Sequence, residues 1–120
     1  HISTKKLCMP RDYRLYLDDI LESVDRITEY VADMDFPSFI SDQKTIDAVV
    51  RNLEIIGEAA KNLPDDMKST MSDIEWKKIT GLRNILAHEY FGINKEIIWD
   101  IVQNKISVVK SACEQMIKEM

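Results

Sequence analysis

Apolar residues recur at steps of three and four over most of this chain, which is the spacing of helices that bury one face. The first stripe predicts a helix from about Asp12 to about Met34, and the second predicts one from about Asp42 to Asn62. Between them, Asp33, Asp35 and Pro37 break the first helix, residues 38–41 fit one loose turn, and Asp42 or Ser41 is the expected N-cap of the second. Gly57, inside the second helix, costs roughly 1 kcal/mol relative to alanine and indicates a close approach of another backbone. The two stripes consist of Tyr13, Tyr16, Leu17, Ile20, Leu21, Val24, Ile27 and Val31, then Ile46, Val49, Val50, Leu53, Ile56, Ala59 and Ala60.

The second half of the chain predicts one short helix and two long ones. Pro64 follows a helix end and opens a turn into a short helix that reaches about Thr70. Asp73 is the expected N-cap of a helix over Ile74 to Tyr90 that ends at Gly92 as a left-handed cap, and Asn94 is the expected N-cap of a last helix that continues toward residue 120. The apolar stripes of these two helices consist of Trp76, Ile79, Leu82, Ile85 and Leu86, then Ile97, Ile98, Ile101, Val102, Ile106, Val109, Cys113, Met116 and Ile117. The expected fold is all-α, an up-down bundle of four main helices plus a short helix.

Length and composition favour one helical domain. A chain of 120 residues buries roughly two-thirds of its unfolded surface without staples. Residues 1–9 carry neither an amphipathic stripe nor a secretory signal, so we expect a leader or cloning remnant followed by a single domain over residues 10–120. The apolar runs are far too short for a membrane span. Cys8 and Cys113 lack metal or disulfide spacing, which favours a cytoplasmic protein.

The net charge of -5 argues against nonspecific coating of nucleic acid, which depends on lysine and arginine at phosphates. A nucleic-acid substrate therefore requires a local basic patch. Lys77, Lys78, Arg83 and Lys95 are candidates, although interleaved glutamates fit an ordinary solvated face equally well. We expect the two tryptophans, Trp76 and Trp99, to be core or interface anchors rather than base-stacking platforms.

Candidate chemistry is concentrated in residues 81–92, GLRNILAHEYFG, near the end of a predicted helix. Arg83 and Tyr90, seven apart, nearly align on a helix, whereas Arg83 and His88 are about 140° apart. Asn84 lies four residues before His88 and shares its stripe. His88 is the only imidazole within residues 10–120. A helix end without chemistry, in which these side chains cap or form ion pairs, is the alternative.

Side-chain chemistry at this motif matches phosphodiester cleavage. The dipole at a helix C-terminus favours imidazolium and keeps the pKa of His88 near or above its free value of about 6.5, which suits general acid–base catalysis. A guanidinium is always charged and matches phosphate oxygens in pairs, so Arg83 suits a phosphodiester and its transition state. RNA supplies its own nucleophile, the 2′-OH, so we expect no metal and no cofactor.

The motif Arg83, four residues, His88, one residue, Tyr90 resembles the signature of the HEPN ribonuclease superfamily, and its tyrosine resembles that of HepT toxins. The likeness extends to RNLEIIGEAAKN from Arg51, to Trp76, and over roughly residues 12–120. It implies an all-helical dimeric ribonuclease toxin, neutralised by a minimal nucleotidyltransferase antitoxin that adenylylates the motif tyrosine. Carried over, Arg83 and His88 are catalytic, Asn84 supporting and Tyr90 modified.

Two further expectations concern the surroundings of the motif. Cleavage needs two proton transfers while each chain has one usable histidine, so we expect a two-fold dimer with both His88 side chains in one cleft. Arg51 and Glu58, seven apart, share a helix face and are candidates to support the site from across the bundle, although a solvated charge pair is also open. Two other functions stay open: a noncatalytic module that binds a nucleotidyltransferase, and a purely structural helical dimer.

Overall fold

The computed structural model describes residues 2–71, 74–81 and 95–119, with side chains from Tyr13 onward. Every regular element in these ranges is helical, which confirms the all-α class. The elements are α1 (Ile2–Val31), α2 (Phe36–Ile40), α3 (Gln43–Lys61), α4 (Asp65–Ser69), α5 (76–81), α6 (Lys95–Asp100), a π-helical turn (Ile101–Lys105) and α7 (Ile106–Lys118). Within the described ranges no helix is both long and apolar enough to cross a membrane.

Capping residues define α3, whose bounds the sequence predicted. Asp42 is the N-cap, and its carboxylate accepts a 3.1 Å hydrogen bond from the backbone N–H of Thr45. Asn62 is the C-cap. The hydrogen bonds from Thr45 lower the pKa of Asp42, because they stabilise the ionised carboxylate. Of the two predicted N-caps, Asp42 and Ser41, the structure has Asp42, and the predicted end of the helix at Asn62 is confirmed.

The predicted bounds of α1 are wrong at both ends. The helix begins at Ile2 rather than near Asp12, and ends at Val31 rather than near Met34. Residues 2–11 show no apolar stripe, so periodicity gives no signal there. Extending an existing helix adds a hydrogen bond for each residue fixed, so such a segment can be helical without a buried face.

A short helix replaces the loose turn predicted over residues 38–41. Helix α2 starts after Asp35, whose carboxylate accepts a 2.9 Å hydrogen bond from the N–H of Ser38. Pro37 lies in the first turn, where its missing N–H removes no helical hydrogen bond. Hydrogen bonding from Ser38 lowers the pKa of Asp35. The loop signals Asp35 and Pro37 thus begin a helix.

The hydrophobic core lies between α1, α3 and α7, the helices that make the main packing contacts. Their inner faces follow the predicted stripes, whereas Ile97, predicted as buried, is 58% exposed. Neighbouring Ile98 takes the core position, and one residue along a helix is a rotation of about 100°. The fully enclosed side chains are Phe39, Leu17, Ile20, Ile27, Leu53, Ile56, Val24, Val49, Val109, Cys113 and Ser23.

The last predicted helix contains one wide turn. At residues 101–105 the N–H of Ile106 donates to the carbonyl of Ile101, five residues earlier, which is the π-helical pattern. Ile98, Val102 and Ile106 are all buried. In a regular α-helix, two successive steps of four residues would rotate the last of them about 80° from the first. Beyond the turn, Lys110 Nζ lies 3.0 Å from Asp25 Oδ1 and joins α7 to α1.

Candidate functional site

All four motif side chains, Arg83, Asn84, His88 and Tyr90, lie outside the described residues. The same holds for the predicted caps Asp73, Gly92 and Asn94 and for three predicted core positions of the fourth helix, Leu82, Ile85 and Leu86. The described part of α5 ends at Gly81, two residues before Arg83. The described residues form two grooves that bear on the other site predictions.

The first groove, here the α1–α3 groove, contains both residues of α3 that were predicted to support the site. Arg51 and Glu58 line it together, so the seven-residue spacing does place them on one accessible face of α3. The cavity measures about 400 Å³. Opposite them, α1 contributes Tyr16 and Asp19, neither of which the sequence assigned to a site. The remaining lining residues are Glu54, Ile55, Ala59 and Asn62.

Acidic groups dominate the α1–α3 groove. Its lining holds one guanidinium, from Arg51, and three carboxylates, from Asp19, Glu54 and Glu58. Carboxylates attract cations and repel phosphates at close range. The groove is thus suited to holding cationic side chains in place, and unsuited to binding a polyanion directly.

Gly57 and Gly81 differ in their surroundings. Gly57 is buried in α3, as expected for a position where a neighbouring element packs closely. At Gly81 an added Cβ would meet no atom within 4 Å. Close approach at Gly81 therefore does not occur within a protomer, as far as the described residues show.

The second groove, here the lysine groove, lies between α4 and α5 and measures about 620 Å³. Lys68, Lys77 and Lys78 line it together with Trp76 and other residues of α4, of α5 and of the segment just before α5. Two members of the predicted basic patch, Lys77 and Lys78, thus share a surface. Lys68 was missed, because it comes from α4 and no sequence spacing relates it to α5.

Lys95 and Trp99 lie outside the lysine groove. Lys95 donates a 3.4 Å hydrogen bond to the carbonyl of Ile40, on α2. Trp99 packs against Phe39, with ring centroids 5.0 Å apart. Trp76 is half-buried against the core, and its Nε1 donates to the carbonyl of Met71 at 3.1 Å. Both tryptophans are packed against the core, as predicted.

Cys113 is excluded as a nucleophile by its environment. The side chain is fully enclosed in the core, and the thiol is free. Burial raises the pKa of Cys113 to about 12, since a thiolate loses its hydration there. The thiol therefore stays protonated at neutral pH, whereas reactive cysteines need the thiolate.

Asn52 is a buried polar residue that the sequence analysis did not single out, although it belongs to the segment RNLEIIGEAAKN. Its Nδ2 donates a 2.9 Å hydrogen bond to the carbonyl of Ala48. No donor among the described residues reaches its Oδ1. The signal in the sequence is an amide side chain among the apolar residues of a helix, because such an amide must find a hydrogen-bond partner once it is buried.

The similarity to known proteins extends beyond the motif to most of the chain. The family model described as "Ribonuclease HepT-like" matches residues 20–116, which include residues 83–90. The chain is 48% identical over 113 residues to "Putative RNase MJ0127" of Methanocaldococcus jannaschii, covering 93% of each. It is 39% identical over 110 residues to "Probable ribonuclease HepT" of Thermococcus cleftensis, covering 92% of this chain and all of the relative. No solved structure matches.

The helical fold and these matches together define the class, the HEPN superfamily, as the motif predicted. Within that class, the chain belongs to the HepT-like ribonuclease family.

Proposed function

We propose that this protein is a metal-independent endoribonuclease that acts as the toxin of a toxin–antitoxin pair. The observation that carries the proposal is the family match over residues 20–116, because it includes Arg83, His88 and Tyr90 at their motif spacing. The relative in T. cleftensis bears the name of a ribonuclease, which supports RNA as the substrate.

Cleavage proceeds by attack within the RNA strand. The 2′-oxygen bonds to the adjacent phosphorus while the bond from phosphorus to the 5′-oxygen breaks. One proton leaves the 2′-OH and another is added to the 5′-oxygen, so the products are a 2′,3′-cyclic phosphate and a 5′-OH. His88 transfers a proton as general base or acid, and Arg83 binds the phosphoryl oxygens and stabilises their charge in the transition state.

A two-fold dimer completes the proposed site. Two proton transfers are needed and residues 10–120 hold one histidine, so a second copy of the chain contributes a second His88 to the same cleft. Isologous packing is the usual way in which two identical chains meet. Asn84 supports the site through its amide, one residue from Arg83 and four from His88.

Arg51 and Glu58 act from the α1–α3 groove in this proposal. Its three carboxylates provide acceptors that orient cationic side chains, the chemistry that a guanidinium and an imidazolium require. Both residues thereby act on the position of catalytic groups and touch no reacting atom. The acidic lining also explains why RNA must be bound elsewhere.

Tyr90 is the proposed site of control by a minimal nucleotidyltransferase antitoxin. Its phenolic oxygen attacks the α-phosphorus of ATP, pyrophosphate leaves, and the phenolic proton passes to a base on the antitoxin. The attached AMP places a negative phosphate near Arg83 and occupies the guanidinium, so RNA binding and cleavage fall together.

Replacement of Tyr90 by phenylalanine tests this control, because it removes only the acceptor oxygen and keeps the ring. The Phe variant should fold, should gain no AMP mass with the antitoxin and ATP, and should keep its ribonuclease activity. Intact-mass spectrometry and a cleavage assay measure both. Equal AMP gain in Tyr90→Phe and wild type would place the modification at another residue.

The reaction itself is tested by the ends of the products. In EDTA the purified protein should cleave single-stranded RNA at the same rate as in its absence, and the fragments should carry 5′-OH ends and 2′,3′-cyclic phosphates. End-labelling by polynucleotide kinase and mass spectrometry distinguish these ends. Fragments with 5′-phosphates, or a rate abolished by EDTA, would contradict attack by the 2′-OH.

A further inference from the structure

The two grooves carry opposite charge, although the protein as a whole is acidic. The lysine groove holds three ammonium groups, Lys68, Lys77 and Lys78, against two carboxylates, Asp65 and Glu75. The α1–α3 groove has the reverse excess. On a chain of net charge -5, a polyanion is therefore attracted to the lysine groove and repelled from the other.

The lysines of this groove are available to an anionic ligand. Lys78 pairs with Glu75 at 2.8 Å, but both side chains are more than half exposed, and an exposed pair of this kind is weak and readily exchanged. Lys77 is exposed and forms no ion pair with any described residue. Both ammonium groups can therefore bind phosphates at little cost.

Lys68 differs from the other two because its side chain is mostly packed. Only 15% of it is exposed, and its nearest carboxylate, Asp65, is fully exposed at 3.8 Å. A packed stem loses less conformational entropy when its ammonium binds a ligand. Lys68 thus provides a preordered cation at the α4 side of the groove.

The wall of the groove is apolar and rigid. Trp76 and Ile74 both line it. The Trp76 indole is anchored by its hydrogen bond to the carbonyl of Met71, and Ile74 is buried. Cations in a groove of fixed shape bind the backbone of single-stranded nucleic acid, since the phosphates contact the cations.

The position of this groove relates it to the proposed active site. Lys77 precedes Arg83 by six residues, so their Cα atoms lie within about 22 Å whatever the conformation between them. A single strand bound in the groove can therefore reach Arg83. We infer that the lysine groove binds the RNA strand flanking the cleaved bond, with Lys68, Lys77 and Lys78 on its phosphates. This inference rests on the proposed ribonuclease function and assigns the substrate a binding surface.

The test measures RNA binding separately from cleavage. Full-length protein carrying His88→Ala is titrated with a fluorescent single-stranded RNA at several salt concentrations, with and without Lys77→Ala and Lys78→Ala together. Loss of two phosphate contacts should weaken binding on the order of tenfold at low salt, and should reduce the slope of log affinity against log salt by about 1.4. In catalytically intact protein the same pair should raise the KM for this RNA.

A matched control removes the same charge elsewhere. Lys44 and Lys118 are exposed and line neither groove, so Lys44→Ala with Lys118→Ala should leave the salt slope unchanged. Equal slopes for both pairs, or unchanged RNA affinity in the groove variant, would overturn the inference, even if binding of a protein partner were lost. Because binding is measured without cleavage, a wild-type protein that fails to cut RNA would refute the proposed function and leave this test intact.

Discussion

Replacing His88 by alanine should lower the rate of RNA cleavage on the order of 10²- to 10⁴-fold, the usual contribution of a general acid or base. The effect is expected to be large because no other imidazole occurs within residues 10–120. Cleavage is measured at saturating RNA and across pH, so that lost proton transfer is distinguished from lost binding. Circular dichroism should show that the variant keeps the helical content of the wild type.

A folded His88→Ala variant with an unchanged rate would contradict the acid–base assignment. Sedimentation of the same preparations tests the shared cleft, since the active wild type should be a dimer. A strictly monomeric wild type that cleaves RNA at full rate would show that one histidine is sufficient.

Replacing Phe39 by alanine should destabilise the fold by about 3–5 kcal/mol, the range for a large aromatic removed from a core. Phe39 has no exposed surface, and its ring centroid lies 5.0 Å from that of Trp99. It is the buried residue of α2, whose five residues contact both α3 and α6, so the substitution removes the anchor of this short helix. Urea unfolding, followed by circular dichroism, measures the change.

Ile40 provides the matched control for this substitution. It is the next residue of α2 and is 39% exposed, so Ile40→Ala should cost clearly less than Phe39→Ala. Equal losses for the two variants would show that α2 contributes through its helix rather than through the buried ring. A loss below 1 kcal/mol, roughly, at Phe39 would mean that its surroundings collapse into the space.

Helix α3 shows how much of the fold the sequence predicts. Its buried face, an N-cap at Asp42 or Ser41, and its end at Asn62 were all predicted from local patterns, because stripe and caps are local properties of a helix. Helices α1 and α2 show where this fails. The first turns of α1 have no stripe to detect, and α2 begins with residues, Asp35 and Pro37, that serve equally as loop signals.

At the site too, features within one helix were predicted and contacts between helices were not. A spacing of seven correctly placed Arg51 and Glu58 on one face of α3. The residues across that groove, Tyr16 and Asp19, come from α1. In the lysine groove, Lys68 of α4 lies beside Lys77 of α5. Contacts of this kind depend on how the helices pack against each other, and residue spacing within one helix gives no information on that packing. The motif from Arg83 to Tyr90 was sufficient to predict the family, whereas the roles of its residues stay predictions.

The wide turn at residues 101–105 has a consequence for the last helix as a whole. In a regular α-helix, the eight residues from Ile98 to Ile106 would rotate the buried side by about 80°, whereas absorbing one extra residue leaves an offset of about 20° in the opposite sense. The turn therefore corrects the phase between α6 and α7 so that one face stays inside. A relative that lacks one residue at this place can form a regular α-helix there, and both halves of that helix still bury the same faces.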